Sequence, residues 1–211
     1  MAVITLPSGL LVKEQLPGQK RFDLLFGSAE SGAQQARLLG PPRWMFSMVA
    51  PDALETAAAA LWRKLILSLE GRVNLLAVYD LLNIEPRGTA RGTWTCNGGA
   101  AAGATSIPIA AGVGQAGTTV LSGDWVGVGQ GSTGPARQLL HVQADVTLNG
   151  SGQGQLTVTP PLRVALTNGA AMVWDKPTCL CRQTADETRW SSRRGRQSGF
   201  SLDLVESWEG S

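Results

Sequence analysis

The chain has 211 residues, enough to bury a core of its own, with two compact modules as the upper bound. At 43% apolar against 16% charged, it is too rich in core-forming side chains to be a disordered chain. A formal net charge of +2, mixed in sign along the sequence, excludes bulk attraction to nucleic acid or to an anionic membrane surface.

The chain opens in the manner of half-buried strands. Leu10 to Glu14, Arg21 to Gly27 and Arg43 to Val49 are the candidates; in the last, Trp44, Phe46 and Met48 share one face while Met45 and Ser47 take the other. Ser28 to Gly40, small and polar, reads as a connecting loop. One helix follows. Pro51 suits its first position, Asp52 and Glu55 its first turn, and Gly71 a left-handed C-cap. Leu54, Ala58, Leu61, Leu65 and Leu69 recur at spacings of three and four, with Trp62 beside them, so one stripe should lie on a sheet. Asn74 to Asp80 then reads as a strand and Pro86-Arg87-Gly88 as a turn.

Residues 92–178 differ in style, being glycine-rich and sparsely charged, with three basic and three acidic residues. Short strands are predicted at Gly92 to Asn97, Ser106 to Ile109, Trp125 to Gly129, Leu139 to Leu148, Gln155 to Thr159 and Ala171 to Trp174. Turn signals separate them, Asn149-Gly150 and Asn168-Gly169 being the strongest. No helix interrupts the series. A small closed barrel or compact sandwich fits better than an open sheet, because closure hides strand edges.

After a basic, polar stretch from Thr188 to Arg196, Phe200, Leu202 and Leu204 alternate with Ser201 and Asp203 as a last strand that ends near Trp208. A solitary strand is not stable. It is therefore expected to pair onto the N-terminal sheet. The predicted fold is mainly β, a β-rich α+β arrangement: a discontinuous domain of residues 1–91 and 179–211 with one α-helix, and an inserted small β-barrel of residues 92–178.

The inventory for catalysis is thin, because convergent groups are scarce. His141, the single histidine, sits in the alternating run Leu139 to Gln143 and reads as a structural or solvent-facing strand residue. The glycines of 98–103 and 112–117 are followed by extended sequence, not by the helix start that a phosphate cradle needs. Asp124, Asp145 and Asp175 lie beside turns or strand ends and read as turn formers or salt-bridge partners rather than as a hydrolytic pair. Cys96, Cys179 and Cys181 are odd in number and read as reduced thiols of a cytosolically made protein; with one distant histidine they fall short of a zinc site. No cofactor or metal is expected, and no enzyme activity. The N-terminus lacks the basic and apolar regions of a signal peptide, and no apolar run reaches membrane-span length, so a soluble protein without a secretion signal is expected.

Seven tryptophans stand against one tyrosine. Trp94, Trp125 and Trp174 fall in the barrel-like module and could stack on sugar rings, although each also sits in an apolar strand pattern that suits core packing. Arg189, Arg193, Arg194 and Arg196 are accompanied by Asp186, Glu187, Asp203, Glu206 and Glu209, which points to ion pairs between subunits rather than to nucleic acid.

Trp62-Arg63-Lys64 in a helix, then Leu69-Glu70-Gly71-Arg72-Val73-Asn74 leading into a strand, and Pro86-Arg87-Gly88 after it, resemble the N-terminal part of siphophage distal tail proteins. Leu121-Ser122-Gly123-Asp124-Trp125-Val126-Gly127-Val128, followed by Gln155-Leu156-Thr157-Val158-Thr159-Pro160-Pro161-Leu162-Arg163, resembles their inserted module. The resemblance implies a hexameric ring around the DNA channel of a bacteriophage tail, between the tail-tube protein and the hub or tip proteins. It also implies a belt domain built from both chain ends and an inserted barrel, OB-like in some members, that can hold accessory fibres or contact carbohydrate. The protein would then reside in the virion at the tail tip after synthesis in the host cytoplasm, with no membrane partner and DNA only as passing cargo. Ring interfaces bury apolar strands and aromatics. On that basis Arg43, Trp44, Phe46, Phe200, Leu202 and Leu204 are expected in or directly behind subunit contacts, and Trp44→Asp is expected to leave monomer or soluble aggregate. The alternative is a carbohydrate-binding or receptor-contacting β module.

Overall fold

A computed structural model describes residues 1–27, 31–193 and 196–208. The protein is mainly β. Strands β1 (Val3–Thr5), β2 (Glu14–Gly27) and β3 (Gln34–Val49) precede the helix α1 (Thr56–Leu69) and strand β4 (Leu75–Val78). The middle of the chain supplies β5 (Trp94–Cys96), β6 (Ser106–Ala110), β7 (Thr119–Val120), β8 (Trp125–Val128), β9 (Gln138–Val142), β10 (Val146–Thr147), β11 (Gln153–Thr159) and β12 (Ala171–Val173). The end supplies β13 (Cys179–Gln183), β14 (Ser191–Arg193), β15 (Arg196–Ser198) and β16 (Ser201–Glu206). No helix among the described residues is long and apolar enough to cross a membrane.

Both chain ends meet in one six-stranded sheet of order β1-β4-β13-β16-β3-β2. The last strand lies antiparallel on β3, with Leu202 opposite Met48 and Leu204 opposite Phe46, so the apolar alternation of each strand feeds one face. On that face α1 packs through Ala59, Trp62, Leu65, Ile66 and Leu69. Trp62 stacks on Phe200 with ring centres 6.1 Å apart and donates from Nε1 to the Leu11 carbonyl at 2.8 Å.

The helix begins later than its sequence signals indicate. Leu54 is held in an antiparallel bridge to Gln197 through a bond in each direction, 2.8 and 3.0 Å, which keeps the chain extended past Pro51 and Asp52 and leaves Glu55 as N-cap. Two members of the expected stripe change, Ala59 and Ile66 being buried in place of Ala58 and Leu61. At the other end the left-handed position falls on Glu70 (φ 49°) as well as on Gly71 (φ 64°).

The middle strands close a barrel of order β11-β6-β5-β12-β8-β9. It has six strands where the OB-fold has five. Ile107, Ile109, Val126, Leu140, Val142 and Leu156 fill it, while Trp125 and Leu139, pointing the opposite way on β8 and β9, join the core of the sheet. The predicted strand Leu139 to Leu148 is two strands. Asp145 breaks it by accepting the Ser122 N–H at 2.7 Å, and β10 pairs instead with β7, which lies in the extended sequence that follows the glycines of 112–117. At the Asn149 turn the indispensable glycine is Gly152 (φ 69°), where a Cβ would lie 1.8 Å from the Gly112 carbonyl oxygen.

Two further expectations are corrected. Leu10 to Lys13 is not strand, since β2 begins at Glu14. Ser28 to Gly40 is not one connecting loop: β3 starts at Gln34, and Ser28, Ala29 and Glu30 lie outside the described residues.

Candidate functional site

The feature that stands out is the hairpin of β2 and β3. It pairs from Glu14–Val49 at its base to Gly27–Gln34 at its end. Only the base belongs to the sheet, for β16 flanks β3 from Met45 to Val49 and no further. Chemistry explains the limit. Pro41 and Pro42 have no N–H to give to another strand, and the register slips where they sit, between Lys20 and Asp23 on the facing strand. Beyond that slip the hairpin continues as a two-stranded arm with both edges open among the described residues.

The arm is apolar on both faces. Asp23, Leu25, Ala36 and Leu38 share one face; Leu24, Phe26, Gln35 and Arg37 share the other, with Leu39 following the same alternation. Leu24, Leu25, Phe26, Leu38 and Leu39 are 44–63% exposed. An open edge with large apolar side chains on both sides is what soluble monomers avoid, and it marks a surface made to be covered.

At the base of the arm, aromatic rings and cations alternate. The Lys20 ammonium lies 5.6 Å from the centre of the Phe22 ring, and the Arg43 guanidinium 5.8 Å from the same ring and 4.4 Å from that of Trp208. Arg163 covers Trp208 at 4.1 Å. Arg163 also ties the barrel to the sheet: Nη1 donates to Glu206 Oε1 at 2.9 Å, while Glu206 Oε2 accepts the Trp44 N–H at 3.0 Å. Burial pushes the Glu206 carboxyl up, against the opposing pull of Arg163. Between arm and barrel lies a groove of about 400 Å³ whose walls include Leu38, Pro41, Pro42, Pro161, Leu162 and Trp208.

The residues expected at subunit contacts are mostly core. Trp44, Phe46, Phe200, Leu202 and Leu204 are at most 7% exposed within the single chain, so they stand behind any contact rather than in it. Trp44→Asp therefore tests folding and not association. Arg43 alone reaches the surface, at the ring-and-cation array. The arm was missed because residues 34–40 carry loop-like composition and become strand only through pairing with β2.

The tryptophans expected as sugar platforms are largely enclosed. Trp94 is 1% and Trp125 7% exposed. Trp125 donates to Asp80 Oδ2 at 3.0 Å and meets Trp44 edge-on at 4.9 Å. Trp174 is half-buried between Trp94 and Arg91, its N–H given to the Gly92 carbonyl.

His141 packs edge-on against Trp125, and its Nδ1 accepts from the Gln143 amide at 2.7 Å; burial holds its pKa below the ordinary value. Asp124 caps a turn, accepting backbone N–H groups of Arg87 and Leu121 at 2.8 Å each. Cys179 and Cys181 face each other at 3.4 Å, fully buried, and burial drives the Cys179 thiol well up, as it does Cys96 to a lesser degree, which makes them poor nucleophiles. Among the described residues no group of three acids, histidines or cysteines could hold a metal ion. The expected ion pairs between subunits lose three members: Arg189 pairs with Glu187 at 2.7 Å and Glu206 with Arg163, both within the chain. Arg194 and Glu209 lie outside the described residues.

The chain matches no model of a known protein family. No curated protein matches it either.

Proposed function

We propose that this chain is a structural, non-enzymatic subunit of a bacteriophage tail, a distal-tail-type protein whose copies close into a ring, in the resemblance a hexamer between tail tube and tail tip. The observation that carries the reading is the open, two-sided apolar arm of β2 and β3. A module working alone has no use for such an arm, whereas a subunit needs unsatisfied edges and apolar faces for its neighbours. The resemblance of the Trp62 to Asn74 and Leu121 to Arg163 segments supplies the kind of assembly.

Size-exclusion chromatography with light scattering, followed by negative-stain microscopy, tests this directly. Wild-type protein is expected to give an annulus, six-fold by the resemblance. The double substitution Leu25→Asp with Phe26→Asp, on opposite faces of the arm, is expected to give a folded monomer. A wild-type monomer at every accessible concentration, or an undisturbed ring in the double variant, counts against the proposal. The carbohydrate reading draws little support, because Trp94 and Trp125 are buried and Trp174 is half-buried.

A further inference from the structure

Like charges face each other where the arm leaves the sheet. Lys20 and Arg43 are direct cross-strand partners, an arrangement that costs stability unless an anion joins them. Among the described residues neither forms an ion pair, and Glu206, whose charge Arg43 feels, is already committed to Arg163 and to the Trp44 N–H. The rings of Phe22 and Trp208 hold the cations in place without neutralising them. Trp208 is also a wall of the groove between arm and barrel. A cationic rim thus borders an apolar slot, and the matching occupant carries an acid next to bulky apolar side chains.

This chain displays such a segment in Asp23-Leu24-Leu25-Phe26. Asp23 is exposed and, among the described residues, has no hydrogen bond or ion pair, and the three residues after it are exposed as well. The segment cannot turn into its own groove, because Asp23 is the strand partner of Leu38, which is a wall of that groove. We infer that the arm of one copy seats in the groove of a second copy, with Asp23 against Lys20 and Arg43 and with Leu25, on the same face as Asp23, beside the prolines. Leu38 belongs to both arm and groove, but Asp23 and the Lys20–Arg43 pair are separate groups, so a copy can give its acid to one neighbour and receive another's at its cations, and such a contact closes a ring if its rotation permits. The inference rests on the assembly reading above and names the partner surfaces within it.

Two exposed substitutions test it on the full chain. Lys20→Glu sets two acids face to face across the contact, and Asp23→Lys sets cations together. Each variant is expected to raise the concentration at the assembly midpoint about tenfold or more, measured by sedimentation velocity, while circular dichroism shows unchanged folding. An equimolar mixture of the two is expected to assemble at the wild-type midpoint, because alternating copies join opposite charges at every contact. A variant that assembles like wild type, or a mixture that stays apart, overturns the inference. If both charge variants assemble normally while the Leu25→Asp, Phe26→Asp protein is monomeric, the seat is wrong and arm-driven assembly stands. A wild-type chain that never assembles removes both.

Discussion

Arg163 joins the two parts of the molecule through one buried carboxylate. Its side chain is 6% exposed and that of Glu206 2%, so neither charge has water to fall back on. Arg163→Ala is expected to cost roughly 3–5 kcal/mol, the usual penalty for leaving one buried partner alone. The pH dependence follows from the direction of the Glu206 shift. Its folded pKa lies above the unfolded value because burial outweighs Arg163, so protonation favours the folded state and the contribution is lost as pH rises through the folded pKa. Without Arg163 the carboxyl is driven higher still, and the deficit of the variant should shrink as pH is lowered from about 7 to about 5. Urea unfolding at the two pH values measures this, and a deficit that ignores pH contradicts the assignment. None of this was legible in the sequence. Glu206 alternates with Leu204 and Leu202 and reads as part of a strand; its partner lies 43 residues away, brought there by the barrel.

Elements were legible where their own periodicity matches their environment. The α1 stripe is such a case, because apolar residues at helical spacing have one low-energy place to go. Trp62→Ala is expected to cost about 3–5 kcal/mol in thermal or urea unfolding, whereas Leu67→Ser, on the exposed face, should stay within about 0.5 kcal/mol. Equal effects would mean that the packed face is misassigned. The start of α1 was not legible. Pro51, Asp52 and Glu55 carry good helix-start chemistry, but the bridge from Leu54 to Gln197 competes with it and wins, and that partner is distant in sequence. The arm shows the same limit from the other side. Gln34 to Gly40 has no strand signal of its own and becomes strand because β2 supplies the complementary backbone.

At the scale of the whole molecule, sheet and barrel share a core. Trp44 crosses from one to the other: Nε1 donates to the Leu139 carbonyl at 2.8 Å, and its ring meets Trp125 edge-on. Trp125 and Leu139 belong to the apolar cluster of the sheet although their strands belong to the barrel. The wild-type chain is therefore expected to melt in one cooperative transition, and Trp44→Ala to separate it into two, as recorded by scanning calorimetry. Two transitions in the wild type would show that the shared cluster couples the parts weakly.

By itself the sequence determined the mainly β character, the helix, the short strands of the barrel and the return of the last strand to the first sheet. Each of these follows from alternation, turn residues and the need of apolar faces for cover, which are local properties of the chain. Tertiary structure alone decided that Trp44, Phe46, Phe200, Leu202 and Leu204 face inward, that Arg43 and Lys20 share Phe22, and that residues beyond Pro41 and Pro42 leave the sheet as an open arm. The reason is physical: alternation says that a strand has two faces, but which face is buried, and which edge is left unpaired, depends on what the rest of the chain brings alongside.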